Sequence, residues 1–146
     1  MSAFTILRAT ETPEQAAAYY VRLTAMQRKY RIPLREEFDA HDTPETRYIV
    51  ILEDIYPVAT CRLYPADADS VMLGRIVVLP EYRGRGLGRM AVKAAEDWAR
   101  ELGFSRAMLE SRVEKVGFYE KMGYTADPSR LIHGETFECV YMEKAL

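Results

Sequence analysis

One junction constrains this chain more than any other feature. An apolar β-prone run, Val71 to Leu79, stops at Pro80 and enters Glu81-Tyr82-Arg83-Gly84-Arg85-Gly86-Leu87-Gly88-Arg89, which opens directly into a long amphipathic helix. A strand, a glycine turn and a helix in immediate succession require a sheet and a helix packed as neighbouring layers. The glycines permit positive φ and keep Cβ atoms away from an approaching ligand. Amides at the start of the helix lack intrahelical partners and point outward, a cradle for phosphate oxygens. With Arg83, Arg85 and Arg89 adding positive charge, an anion is expected here, and a pyrophosphate fits best. A Walker loop needs Gly-Lys-Ser/Thr, which is missing. The glycines at 84, 86 and 88 also miss the G-x-G-x-x-G spacing of a dinucleotide fingerprint. Glu110, 22 positions beyond Gly88, lies past a whole helix and strand.

Around this junction the pattern predicts β-α-β-β-β-α-β-α-β-β. Ala3 to Arg8 alternates loosely as a first strand. Thr12 as N-cap, Pro13 at N1 and Gln15 at capping-box spacing start a helix running to about Arg31. Ala16, Tyr19, Tyr20, Leu23, Met26 and Tyr30 are its expected buried stripe. The acidic stretch Leu34 to Thr46 reads as loop or short turns on the rim. Tyr48–Leu52 and Val58–Tyr64 read as neighbouring antiparallel strands. Leu87 to Leu102 is the clearest helix, with Leu87, Ala91, Ala94, Ala95, Trp98 and Leu102 on one face and Gly103 as its C-terminal cap. Arg106–Glu110 follows as a strand, and Glu114–Met122 as a short helix ended by Gly123. Tyr124–Ala126 and Glu135–Glu143 are the last strands. The expectation is an α+β fold: a mixed, mostly antiparallel six- to seven-stranded sheet flanked by helices, as one domain over 1–146.

The 146 residues carry 20 Lys/Arg against 22 Asp/Glu, a net charge of -2, which supplies no electrostatic drive toward nucleic acid or a membrane surface. There is no apolar run of spanning length and no secretory leader pattern at Met1. Two cysteines fit a reducing, cytoplasmic setting better than a disulfide scaffold. Neither nucleic acid nor membrane is expected as a partner.

Two motifs in order make the chain resemble the GNAT superfamily of acyl-CoA-dependent N-acetyltransferases. Arg83, Gly86 and Gly88 match Q/R-x-x-G-x-G/A after a V-x-P-type strand end. Phe118-Tyr119-Glu120-Lys121-Met122-Gly123-Tyr124 matches an aromatic-Tyr-x-K-x-G-aromatic run, with Tyr119 36 positions after Arg83. The resemblance extends along nearly the whole chain and implies acetyl-CoA as co-substrate, with no metal. It further implies that the amides of Arg83, Gly84, Arg85, Gly86, Leu87, Gly88 and Arg89 hold the coenzyme pyrophosphate. Ile76, Val77 and Val78 would pair with the pantetheine arm, one N–H near Ile76 pointing at the thioester carbonyl, where negative charge develops. The strands around Ile76 and Glu110 are expected to splay apart.

By the same resemblance Tyr119 would protonate the departing thiolate; an unshifted phenol, with a pKa of about 10, holds its proton at neutral pH. The base is open. Many relatives place a glutamate on the strand before the glycine loop, where this chain has Val71, Met72 and Leu73. Glu110 is the leading candidate, with Ser111, Tyr48 and Glu53 behind it. Arg22, Ile32-Pro33, Glu37 to Asp42 and Gly74 to Val78 resemble the ElaA/YjcF-like bacterial branch. The chain departs from that branch at Lys29-Tyr30, Tyr48 and Glu138-Cys139. Asp39, His41 and Asp42 lack the second cluster a metal site needs. The acidic 36–54 region could instead face a cationic amine. Cys61 and Cys139 read as core residues and His133 as solvent-facing. The leading function is direct acetyl transfer to a primary amine of a small molecule or peptide; the competing one is a coenzyme A-binding sensor without turnover. A homodimer through Tyr124 and the last strand is the remaining family expectation.

Overall fold

The computed structural model describes residues 3–146. Its strands are β1 (Phe4–Ala9), β2 (Arg47–Glu53), β3 (Tyr56–Pro65), β4 (Ser70–Val78), β5 (Arg106–Arg112), β6 (Thr125–His133) and β7 (Glu138–Ala145). They form one mixed sheet in the order β1-β2-β3-β4-β5-β7-β6. Every neighbouring pair is antiparallel except β4 and β5. The helices are α1 (Thr12–Arg22), α2 (Arg28–Tyr30), α3 (Leu34–Glu37), α4 (Leu87–Glu101) and α5 (Val116–Glu120). A π-helical turn, Leu23–Gln27, joins α1 to α2. This is the expected mixed sheet flanked by helices, and the element order is the expected one.

Two helices cover opposite faces of the sheet. The Arg47 guanidinium lies 5.9 Å from the Trp98 ring of α4, so Arg47, Ile49 and Ile51 face α4 by strand alternation. Tyr19 of α1 meets Tyr48 edge-to-face at 5.6 Å, and Tyr48 packs with Ala18 and Val50 on the other side. Alanines on α4, including Ala91, Ala95 and Ala99, are fully buried and let that helix approach the sheet closely.

The buried stripe of α1 differs from the expected one. Gln15, Ala18, Val21 and Arg22 are inside, whereas Ala16 is exposed and Tyr20 is 51% exposed. The apolar pattern misleads because two polar residues occupy core positions with complete sets of partners. The Gln15 amide donates to the carbonyls of Thr43, Pro44 and Thr46. The helix also starts one residue earlier than expected: Glu11 is the N-cap, and the Glu14 carboxylate accepts from the Thr10 and Glu11 amides. Leu102, expected on the buried face of α4, is 40% exposed as its C-cap.

The acidic stretch forms the short helical turn α3 and bends after it, as expected, but its carboxylates are not all free. Arg22 donates to Glu37 (2.8 Å) and Asp42 (2.6 Å), while Arg62 donates to Asp39 (2.9 Å) and Asp42 (3.0 Å). Tyr48 adds a hydrogen bond to Asp42 at 2.6 Å. Burial alone would raise the Asp42 carboxyl, but the Arg22 and Tyr48 hydrogen bonds and the Arg22 charge outweigh it and hold it far below the usual carboxylate range. Arginines remote in sequence therefore neutralise Glu37, Asp39 and Asp42, three of the carboxylates that seemed free for a cationic amine.

Candidate active site

The site begins where two strands stop pairing. Parallel pairing of β4 with β5 ends at Leu73 and Leu109, although β4 runs on to Val78 and β5 to Arg112. A bulge drives the separation. Opposite Thr60 and Arg62, β4 advances from Val77 back to Gly74, one residue more than its partner. Arg75 absorbs the extra residue at φ 47, a left-handed conformation that a side chain adopts only when its surroundings hold it. The Arg75 guanidinium supplies that hold by donating to the carbonyls of Glu37 (3.0 Å) and Glu36 (3.2 Å). Beyond Leu73 the β5-facing edge of β4 has no strand partner, which leaves backbone donors and acceptors ready to pair with an extended ligand.

The resulting cleft has a volume of about 800 Å³. Ile76, Val77, Val78, Arg83, Gly84, Gly86, Leu87, Gly88, Arg89, Glu110 and Tyr119, all singled out from the sequence, line it. Arg85 does not; its guanidinium lies 5.0 Å from the Tyr82 ring. At the glycine turn, Gly84 and Gly86 have φ of 80° and 77°, and a methyl on either would meet no protein atom within 4 Å. The Arg83 amide, expected in the anion-binding set, is instead taken by the Pro80 carbonyl at 3.3 Å, and the next amide with a partner is that of Met90, donating to the Gly86 carbonyl at 3.0 Å; among the described residues the amides of Gly84 to Arg89 have none. That donor set fits a pyrophosphate in both charge and spacing. A methyl on Gly88 would lie 3.7 Å from Phe118, so the two sequence motifs meet at this end of the cleft.

Tyr119, on α5, is 9% exposed and has no hydrogen-bond partner among the described residues. Burial pushes its phenol well above the usual value, with Arg112 only partly opposing the shift. Glu110, on β5, is exposed to the cleft and has neither an ion pair nor a hydrogen bond among the described residues. The weaker candidates lie elsewhere. Tyr48 is fully buried and donates to Asp42, and Ser111 is 2% exposed and donates to the Arg112 carbonyl. Glu53 accepts from Tyr82 at 2.6 Å. His41 stacks on Tyr64 at 3.9 Å and lies off the cleft lining.

Cys61 is fully buried, and burial pushes its thiol up to about 12. Cys139, expected in the core, instead lines the cleft with a thiol also raised by burial; neither is poised as a thiolate. Among the described residues no cluster of His, Cys, Asp and Glu could hold a metal, and no helix is long and apolar enough to cross a membrane.

Sequence reasoning missed the residues that roof the cleft. In the hairpin between β6 and β7, Thr136 donates to Glu36 and Phe137 meets Tyr30 edge-to-face at 4.9 Å. Both contacts join segments roughly a hundred residues apart. Only the Gly134 next to His133 hinted at the turn.

The acetyltransferase (GNAT) family pattern matches residues 7–124. This chain belongs to the GNAT acetyltransferase family. An uncharacterized acetyltransferase of Streptococcus pyogenes serotype M3 is 34% identical to this GNAT chain over 103 residues, 70% of this chain and 72% of the relative. Among solved structures, a putative N-acetyltransferase from Lactobacillus plantarum superposes with a TM-score of 0.92 at 30% identity, covering 99% of each chain. Escherichia coli ElaA superposes with a TM-score of 0.79 at 19% identity, again over 99% of each chain, a likeness of fold alone. Acetyl transfer from acetyl-CoA is the general activity that goes with membership of the GNAT family.

Proposed function

We propose that this GNAT chain moves an acetyl group from acetyl-CoA directly to the primary amine of a small molecule or peptide, both substrates being bound at once. The observation that carries the reading is one continuous cleft. It joins five unpartnered amides at a helix start, those of Gly84 and Gly86 to Arg89, an unpaired strand edge, a buried phenol and a free carboxylate. Acetyl-CoA supplies the activated acyl thioester. The amides of Gly84 and Gly86 to Arg89, with Arg83 and Arg89, bind its pyrophosphate, and Ile76 to Val78 align the pantetheine arm along β4. An N–H near Ile76 faces the thioester carbonyl and offsets the charge that builds on that oxygen.

Glu110 takes the proton from the incoming amine as the new C–N bond forms. Tyr119 gives its proton to the sulfur as the C–S bond breaks. Burial keeps the phenol protonated across the physiological range, so the proton is present, while making the phenol a weaker acid. A sensor without turnover was suggested by the lack of a carboxylate on β4. Glu110 on the facing strand weakens that reading.

On the Arg22, Ile32-Pro33 and Glu37–Asp42 residues we read the chain as a member of the ElaA/YjcF-like branch. A cytoplasmic setting accords with two free cysteines. A homodimer through Tyr124 and β7 is disfavoured, since β7 pairs on both sides and Tyr124 is buried against Glu96.

The test is a panel of amines, lysine peptides and peptide N-termini incubated with acetyl-CoA, reading thiol release, with coenzyme A binding measured in parallel. Release with one amine class supports the reading. Binding without release across the panel favours the sensor. Failure to bind coenzyme A overturns both.

A further inference from the structure

The acceptor end of the cleft carries charges of both signs in a fixed order, and this bears on what the amine is attached to. Glu110 and Arg112 occupy the same face of β5, with Leu109 and the 2%-exposed Ser111 buried on the other. Residues two apart on a strand stand about 6.6 Å from one another. Glu110 follows Leu109, the last paired residue, and so sits at the apex of the splay; Arg112 sits farther out, where the cleft is wider.

Around Arg112 the surroundings are built to present a cation. Its guanidinium carbon lies 4.1 Å from the Phe137 ring and 5.6 Å from the Tyr30 ring. Glu114 engages Nε and Nη2 at 2.8 Å and 2.6 Å, one edge of the guanidinium. The other nitrogen, Nη1, has no ion pair or hydrogen bond to a carboxylate or carbonyl among the described residues. Lys29, exposed on the facing wall, holds its ammonium 5.2 Å from the same Tyr30 ring. Burial opposes ionisation of the Tyr30 phenol, yet hydrogen bonding and charge from Arg112 and Lys29 outweigh it and set the phenol below its ordinary value. Such a lowering reports a locally positive potential. Over this group the hairpin closes through Phe137 on Tyr30 and Thr136 on Glu36. The arginines of the glycine turn serve the α4 side of the sheet, whereas Lys29 and Tyr30 lie on the α1 side, so the two positive regions face different ligands.

We infer that the acceptor is a small amino acid-like zwitterion, its amine directed to Glu110 and its carboxylate held by Arg112, Lys29 and the Tyr30 hydroxyl beneath the Gly134–Phe137 hairpin. This inference rests on the acetyltransferase reading above and narrows its substrate class. A guanidinium whose Nη1 has no carboxylate partner among the described residues, stacked on aromatic rings and beside the Tyr30 hydroxyl, matches a carboxylate in charge. The hairpin contacts at Tyr30 and Glu36 narrow the cleft beside Arg112. A peptide N-terminus, whose first carboxylate is tied up as an amide, would therefore be a poor substitute.

The experiment compares free amino acids with their own primary amides as acceptors for the intact protein with acetyl-CoA, with kcat/KM referred to the neutral amine in each case, because losing the carboxylate also lowers the pKa of the amine. The expected result is a kcat/KM for the acid at least about 10-fold above that for the amide, the discrimination a site gains from pairing its buried polar groups. Arg112→Gln should collapse that ratio toward one, mainly by raising KM for the acid. Coenzyme A binding by calorimetry provides the check that the variant is folded. Amides used as well as acids, or a ratio untouched by Arg112→Gln, would overturn the zwitterion assignment while leaving acetyl transfer standing. Coenzyme A binding with no turnover on any amine would overturn the transferase reading, and this assignment with it.

Discussion

Arg22 and Asp42 form an ion pair at 2.6 Å with side chains 0% and 4% exposed, deep beneath the segment that carries one wall of the cleft. Arg22 also pairs with Glu37 at 2.8 Å, and Arg75 donates to the Glu37 carbonyl. Bulge, acidic segment and α1 are thus one connected unit. Cutting Arg22 back to methionine leaves two buried carboxylates short of their main cation. Breaking a buried pair from one side costs about 3–5 kcal/mol. Arg22→Met should lower stability by that amount in urea unfolding, and a change under about 1 kcal/mol would remove the network from the account of the fold.

The same pair sets a pH dependence. Asp42 has a folded-state pKa below its unfolded value of about 3.9. Its contribution to stability is therefore complete above about pH 4 and is lost as pH falls below that point, where the unfolded carboxyl binds a proton before the folded one does. Asp42→Asn should weaken the protein at pH 7 and flatten the fall in stability between about pH 4 and pH 2. Thermal unfolding across that range measures both effects.

Gly86 tests the anion cradle separately from the fold. At φ 77 a side chain adds roughly 1–2 kcal/mol of backbone strain, yet a methyl there touches no protein atom within 4 Å. On the proposed reading, that open space is where the pyrophosphate would lie. Gly86→Ala should weaken coenzyme A binding about 10- to 100-fold, the equivalent of one or two charge-assisted hydrogen bonds. Calorimetric titration reads this; unchanged affinity would exclude these amides from the pyrophosphate site.

Much of this arrangement was legible in the sequence, for a physical reason. Glycines at positive φ, an apolar helix face and a strand ending at Pro80 are local signals, and they placed the β4–α4 junction within a residue or two. The resemblance to a family supplied the splay and the link to Tyr119. What stayed hidden depends on partners distant in the chain. Arg22 reads as a surface residue until Glu37 and Asp42 are folded against it. The acidic stretch looks like a free anionic face until Arg62 and Arg75 arrive from other strands. Likewise the roof over the acceptor exists only because Thr136 reaches Glu36 across 100 positions.

Tyr119 and Glu110 should separate by pH. Tyr119→Phe removes the proton given to sulfur and should lower kcat about 10²- to 10⁴-fold, with coenzyme A affinity unchanged. Because burial raises the phenol, the native enzyme should show no alkaline loss of kcat from this group below about pH 10. Glu110→Gln should instead produce a defect that shrinks as pH rises past the pKa of the acceptor's own amine, above which the amine is already neutral. Equal, pH-independent defects in both variants would contradict the division of roles.

The roof makes a final prediction about acceptor size. Gly134 donates its amide to the Phe137 carbonyl at 3.0 Å, and a methyl on Gly134 would lie only 2.8 Å from that same oxygen. The turn cannot keep its shape with any side chain there, because the obstructing atom is backbone. Gly134→Ala should displace Thr136 and Phe137 from Glu36 and Tyr30. Small acceptors then lose the closure that holds them and their KM rises, whereas bulkier amines gain access. Coenzyme A binding, at the far end of the cleft, should stay within about 2-fold, since sites well separated and without shared partners act nearly independently. Steady-state kinetics on a size-graded series of amines reads the result, and an unaltered size preference would mean that the hairpin does not limit entry.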